Sequence, residues 1–301
     1  MNKAEHNIRS ERYSSRYTRG FLKMLVNDGQ VETDKYVTQF YSSKNYQGRL
    51  EAIKYLIGVI GKYPFPESIF LDALNDFCSQ VKVYVLQHYD FSLGNREQIQ
   101  ASLVDIAKND EKVQLRALAM ERLASLDATE HYELFFSTSL LKSSKESAAG
   151  LLGLHKIDKE KAYQMAKFRA ETSSGNLDLA IAQIFESEGN SEDLGFFKTR
   201  LQQRTKFNKI DLTRIYLRLL GRIGIEAVTK THILYICENV AATGNTEVVQ
   251  RLIMELYHFI SDNKVFLAEH DELLKFVNKT IDLLLEKDYL KTRKPDPFGP
   301  L

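Results

Sequence analysis

This sequence predicts an all-α protein, a run of antiparallel helices stacked side by side, on three observations. A helix ending in Ala73-Leu74-Asn75-Asp76 turns into a helix carrying Val81-Lys82-Val83, and the plan returns as Ile106-Ala107-Lys108-Asn109-Asp110 followed by Val113-Gln114-Leu115-Arg116. The two Asn-Asp turns lie 34 residues apart, the interval of one helical hairpin in a stacked array. Prolines confirm the reading: Pro64 and Pro66 mark one break, while Pro295, Pro297 and Pro300 crowd the tail, so nothing between Glu67 and Lys294 forbids helix. Strand signals are poor, because no alternating β-branched run is closed by an Asn-Gly or Asp-Gly turn.

The elements follow in order. Residues 1–34 read as an N-terminal connecting segment. Arg9, Arg12, Arg16 and Arg19 recur there at helical spacing around Tyr13 and Tyr17, which invites nucleic acid, but Glu5 and Glu11 dilute the charge and favour a solvated helix face or one that lies against a neighbouring domain, and a short apolar cluster stands before Asn27-Asp28-Gly29. Residues 35–290 read as helix after helix. Asn45 to Lys62 carries the stripe Leu50, Ile53, Leu56, Ile57 and Ile60, and Pro66 opens a helix to about Asp76. Ser79 to Tyr89 follows, then a helix capped by Asn95 with Ile99, Leu103 and Ile106 inside, then one capped by Asp110. Thr129 to Leu141 pairs with Ser144 to Leu154, where Ala148, Ala149, Gly150 and Gly153 favour close helix approach. Lys159 to Thr172, Asn176 to Glu188, Ser191 to Gln203, Ile210 to Ile223, Val228 to Ala241, Glu247 to Ser261 and Glu269 to Glu286 complete the pattern. Gly189 and Gly244 fall just past helix ends, where a left-handed cap is expected. Residues 291–301 read as an irregular tail. The prediction is a HEAT/armadillo-like α-α superhelix of about twelve antiparallel helices.

Composition narrows the function. Lys plus Arg number 41 against 40 Asp plus Glu, so no global field draws nucleic acid or an anionic membrane. No apolar run approaches the roughly 20 residues that span a bilayer, and the N-terminus lacks the hydrophobic core of a secretory signal. The expectation is a soluble chain without membrane insertion, and the residues do not separate cytoplasm from periplasm. Cys78 and Cys237 each sit in an apolar helical pattern and read as buried, reduced thiols.

Several segments go beyond a generic solenoid. Tyr36-Val37-Thr38-Gln39-Phe40-Tyr41, Asn45-Tyr46 and Arg49-Leu50-Glu51-Ala52-Ile53 stand ahead of Ala73-Leu74-Asn75-Asp76 with Val81-Lys82. Ile157-Asp158-Lys159-Glu160-Lys161-Ala162 and Ala182-Gln183-Ile184-Phe185 through Gly189-Asn190 to Phe196-Phe197 follow. Taken in order, they resemble the C-terminal HEAT-like helical region of bacterial aminopeptidase N-like zinc metallopeptidases, over roughly residues 35–260. In that family a separate thermolysin-like domain holds zinc through H-E-x-x-H and does the chemistry. None of the seven histidines, His6, His88, His131, His155, His232, His258 and His270, begins that motif, and the Gly-x-Met-Glu-Asn signature is not present either.

The resemblance therefore implies a non-catalytic domain that would wall a substrate chamber and pack on the catalytic domain of the same polypeptide. Peptides would be the parent's substrates, and zinc would sit in the parent's catalytic domain, with no cofactor, metal ligand or catalytic residue in this chain. The alternative is a free-standing repeat scaffold that holds a protein or peptide on its concave face, with binding residues that the sequence does not single out.

Other candidates read as structural. In Glu130-His131 with Glu133, and in Glu269-His270 with Glu272, the imidazole and the second carboxylate are two residues apart and do not share a helix face. His155 suits a helix C-terminus. Ser143-Ser144-Lys145 suits a helix cap, no Gly-x-Ser-x-Gly elbow is present, and Gly58 and Gly61 lie in an amphipathic helix with no Gly-Lys-Ser or Gly-Lys-Thr following, since Gly61-Lys62 runs into Tyr63.

Overall fold

A computed structural model describes residues 28–126, 129–205 and 208–286. Among the described residues there are sixteen α-helices and no strand, so the fold is all-α and built from repeated helical hairpins. The chain divides into two compact units at Leu126/Asp127.

The first unit holds α1 (28–42), α2 (Tyr46–Gly58), α3 (Ser68–Leu74), α4 (Ser79–His88), α5 (Arg96–Asn109) and α6 (Val113–Ser125). α3 packs on α4 and α5 on α6, while α2, α4 and α6 stack in sequence as one rail. The rail helices start at Tyr46, Ser79 and Val113, 33 and 34 residues apart, which is the interval read from the Asn-Asp turns. Ile53, Leu56, Phe70, Leu74, Leu86 and Leu103 form its sealed interior.

Each Asn-Asp turn is held from two sides. Asp76 accepts the Cys78 backbone N–H at 2.7 Å and pairs with Arg49, whose Nε and Nη2 donate at 2.6 and 3.0 Å. One repeat later Asp110 accepts the Lys112 N–H at 2.9 Å and pairs with Lys82 Nζ at 2.8 Å. The carboxylate closes its own turn as an Asx-type bond and takes its cation from the preceding rail helix, so each hairpin is keyed to the one before. Arg49 and Asp76 are both buried, which makes the pair intolerant of losing one partner.

The second unit holds α7 (Tyr132–Ser139), α8 (Ser144–Ile157), α9 (Lys159–Ala170), α10 (Asn176–Glu188), α11 (Leu194–Gln203) and α12 (Asn208–Ile223). α13 (Glu226–Ala241), α14 (Thr246–Asp262), the short α15 (Lys264–Ala268) and α16 (Asp271–Glu286) follow. α8, α10, α12, α14 and α16 stack successively, and the first three start 32 residues apart. Here the keys are arginines in last turns that donate to helix-end carbonyls one repeat earlier. Arg169 reaches Ser139 O at 2.5 Å, Arg200 reaches Ala170 O at 2.6 Å, and Arg222 reaches Glu186 O at 2.7 Å. Those carbonyls have no partner inside their own helix, so a guanidinium satisfies them and complements the negative helix end.

The small residues of α8 act as expected. A Cβ on Gly150 would lie 2.6 Å from Ser139 N and 2.9 Å from Phe135 O, and one on Gly153 would enter the Phe135 ring at 2.1 Å. α7 and α8 approach this closely because those side chains are hydrogen atoms.

Several boundaries differ from the sequence reading. Sixteen helices replace about twelve, partly because the segment before Asp34 is already helical from residue 28 and because α15 is an extra short turn. Gly29 lies inside α1 against the Tyr63 ring. The helix expected to reach Lys62 stops at Gly58, and Gly61 turns the chain at φ 74°. The helix expected from Pro66 starts at Ser68. Gly244 is left-handed at φ 60°, whereas Gly189 at φ −73° is not. Gly189 is required for space instead, since a Cβ would meet Phe185 O at 2.6 Å. The Arg9–Arg19 stripe and the 291–301 tail lie outside the described residues.

Candidate functional site

Among the described residues, chemistry-bearing side chains do not converge in either unit. Among the described residues no group of three or more His, Cys, Asp or Glu is placed to hold a metal ion. His131 comes no nearer to Glu130 than 4.0 Å. His270 turns away from Glu269 and Glu272 to Glu226 on α13, with Nδ1 at 3.1 Å, and Glu272 takes Lys275 at 2.8 Å. His155 does sit in the last turn of α8, and its Nε2 lies 2.9 Å from Glu188, which holds that carboxyl below its usual range. Ser143 caps α8 by accepting the Glu146 N–H at 3.4 Å. Both cysteines are free thiols; Cys237 is buried, while Cys78, expected to be buried as well, is half-buried at the N-cap of α4.

One buried polar pair escaped the sequence reading. Tyr216 on α12 and His232 on α13 hydrogen-bond through the hydroxyl and Nδ1, and Phe197 stacks on Tyr216 at 4.7 Å. Burial, with a smaller push from Lys198, lowers His232 to about 4, and burial raises the Tyr216 hydroxyl. A neutral imidazole locked onto a phenol inside an aromatic stack is a core feature, and its period along α12 and α13 looks like that of any apolar residue.

The binding-competent features are clefts between successive rail helices. In the second unit, α12 and α14 flank two clefts of about 350 and 280 Å³ that share Arg214 and Glu255. Arg214 donates from Nε to both Glu255 oxygens, at 3.0 and 3.1 Å, and from Nη2 at 2.6 Å. Arg218, His258 and Asp262 line one side of that bridge; Asp211, Arg251 and Met254 line the other. Glu186 on α10 lies 3.6 Å from Arg218, and burial raises its pKa against the pull of that arginine. Charges of both signs are already matched within this cleft.

In the first unit, two clefts of about 310 and 370 Å³ cross the rail and share Ser79, Lys112 and Leu115. The first has Leu50, Val83, Tyr84 and Leu115 as its floor and Gln80, Gln87 and Gln114 at its edge. Its charged side chains are Lys54, 5.5 Å over the Tyr84 ring, and Lys112, which donates to Ser79 Oγ at 2.6 Å. The second adds Phe77, 83% exposed, together with Lys82, Asp110 and Glu111. Burial pushes the Asp110 carboxyl up, but the bonds from Lys82 and the Lys112 N–H outweigh it and hold it below the usual range. A sequence signal for this surface does exist. Gln80 and Gln114 are both the second residue of their rail helices, as is Gln47 in α2.

No protein-family model, curated protein or solved structure matches the chain. Fold and surfaces define an all-α helical-repeat protein. No helix among the described residues is long and apolar enough to cross a membrane.

Proposed function

We propose that this chain is a helical-repeat scaffold that holds a protein or peptide on the exposed side of its rail helices. The carrying observation is that stacking leaves a solvent-filled cleft between neighbouring rail helices in each unit, with side chains of mixed chemistry presented at helical-repeat spacing. Repeat architectures bury their cores between neighbours and leave such surfaces open for recognition. Affinity purification of the full chain, followed by hydrogen exchange of the recovered complex, tests the reading. A stoichiometric protein partner that slows exchange across α4–α6 or α12–α14 is expected. Recovery of no stoichiometric partner overturns it, as does aminoacyl-peptide hydrolysis by the purified chain that a chelator abolishes.

The resemblance of residues 35–260 supports a narrower form of the same reading, in which the partner is the catalytic domain of a zinc aminopeptidase encoded in the same polypeptide. The chain would then wall the chamber over that domain's zinc. The length of the parent reading frame tests this form: an upstream segment carrying H-E-x-x-H is expected, and a natural start at Met1 overturns it.

A further inference from the structure

We propose that the cleft across α2, α4 and α6 binds an extended acidic peptide, with apolar side chains seated on Leu50, Val83 and Tyr84 and carboxylates held by Lys54 and Lys112. This rests on the scaffold reading and names the class of ligand for one of its surfaces.

Charge separates this cleft from the one in the second unit. Both charged side chains lining it are lysines, whereas in the α12–α14 cleft Arg214 is paired with Glu255 and Arg218 with Glu186, and Asp211 and Asp262 also line it. At the shared end near Lys112 the neighbouring Asp110 is taken by Lys82 and a backbone N–H, and Glu111 lines the adjoining cleft and not this one. An anionic ligand is therefore the complementary one.

The rest of the lining selects a peptide over a nucleic acid. Leu50, Val83 and Leu115 offer an apolar floor to alternate side chains of an extended chain. Gln80, Gln87 and Gln114 carry both donors and acceptors, the pairing that backbone N–H and C=O groups require. Two lysines with a net chain charge of +1 are far short of the basic stripe that a phosphate backbone needs.

The test is fluorescence anisotropy of the full chain with a labelled peptide of about ten residues alternating glutamate and leucine, long enough to cross more than one helix at about 3.3 Å per residue. Versions with glutamine or lysine in place of glutamate, and a single-stranded oligodeoxynucleotide of about the same length, run in parallel. The glutamate peptide is expected to bind at least about tenfold tighter than the other three, a gap of about 1.4 kcal/mol. Lys54→Glu, an exposed side chain whose change leaves the core untouched, and the double change with Lys112→Glu are each expected to weaken it, the double by about tenfold or more. Tyr84→Ala weakens all the peptides, and Lys264→Glu, a matching charge change on the second unit, leaves binding unaltered. Equal binding of the glutamine form, binding of the oligonucleotide alone, no peptide binding, or full affinity in both lysine variants overturns the proposal. If the peptide fails while a stoichiometric partner protects α12–α14, the cleft assignment falls and the scaffold reading stands; if neither binds, both fall.

Discussion

Both units tie successive hairpins with a last-turn arginine that donates to helix-end carbonyls, as Arg122 does to Leu86 and Gln87 in the first, and they differ in where the carboxylate each adds is placed. In the first, a cation on the preceding rail helix meets a turn carboxylate one repeat on, as buried Arg49 meets Asp76 and half-buried Lys82 meets Asp110. In the second, Arg169, Arg200 and Arg222 donate to main-chain carbonyls at helix ends, and the buried carboxylate that Arg200 also meets at 3.0 Å, Asp178, lies inside α10 and not in a turn. A carboxylate must be encoded, so the first unit needs Asp at a fixed place in every repeat. A carbonyl comes with any residue, so the second unit keeps the lock while its acceptor positions drift through Ser139, Ala170 and Glu186.

That contrast predicts unequal costs. Arg49→Ala leaves the Asp76 carboxylate buried without its cation, and urea unfolding followed by circular dichroism is expected to show a loss of about 3–5 kcal/mol. A loss below about 1 kcal/mol would mean that water replaces the guanidinium and that the side-chain lock is no stronger than the backbone one.

The second unit's own buried side-chain pair gives the next effect. His232 titrates near 4 when folded and near 6.5 when unfolded, so between those values the unfolded chain binds a proton that the folded chain refuses. Its contribution is complete above pH 6.5 and falls by about 3 kcal/mol as pH drops toward 4. His232→Gln should flatten that part of the stability–pH curve; an unchanged slope would assign the acid sensitivity elsewhere.

Packing comes third. Gly150→Ala drives a methyl into Ser139 N and Phe135 O, both backbone atoms, and should cost about 2 kcal/mol as α7 and α8 are pushed apart. Arg222→Ala should cost least, about 1 kcal/mol, because the carbonyls of Phe185, Glu186 and Gly189 sit near a helix end where water takes over. An Arg222 loss equal to that of Arg49 would erase the distinction between the units.

The same physics explains what could be read without coordinates. The all-α fold was legible because Asn75-Asp76 and Asn109-Asp110 must recur where side chains make the lock, and because Pro64 and Pro66 are the prolines that break helix between the described ends. Ser143 as a cap, His155 at a helix C-terminus and close packing at Gly150 and Gly153 were local consequences of residue type and position. The fit of Gly29 against the Tyr63 ring, the turn after Gly58 and the space-driven need for Gly189 beside the Phe185 carbonyl and the Asp193 carboxylate were not, since no helical period records such contacts.

By itself, then, the sequence determined helices and their hairpin spacing, because those depend on neighbours within one repeat, whereas Asp110, expected to cap the next helix, instead closes the turn before it and leaves Lys112 at the cap position. Only the tertiary structure decided that Arg49 belongs to Asp76, that His270 serves Glu226, that Tyr216 and His232 share a bond, and that Lys54 and Lys112 open onto one apolar cleft. Each of these joins residues from different helices. Which faces meet is settled by how the hairpins stack, and a one-dimensional pattern fixes the period of a face without naming its partner.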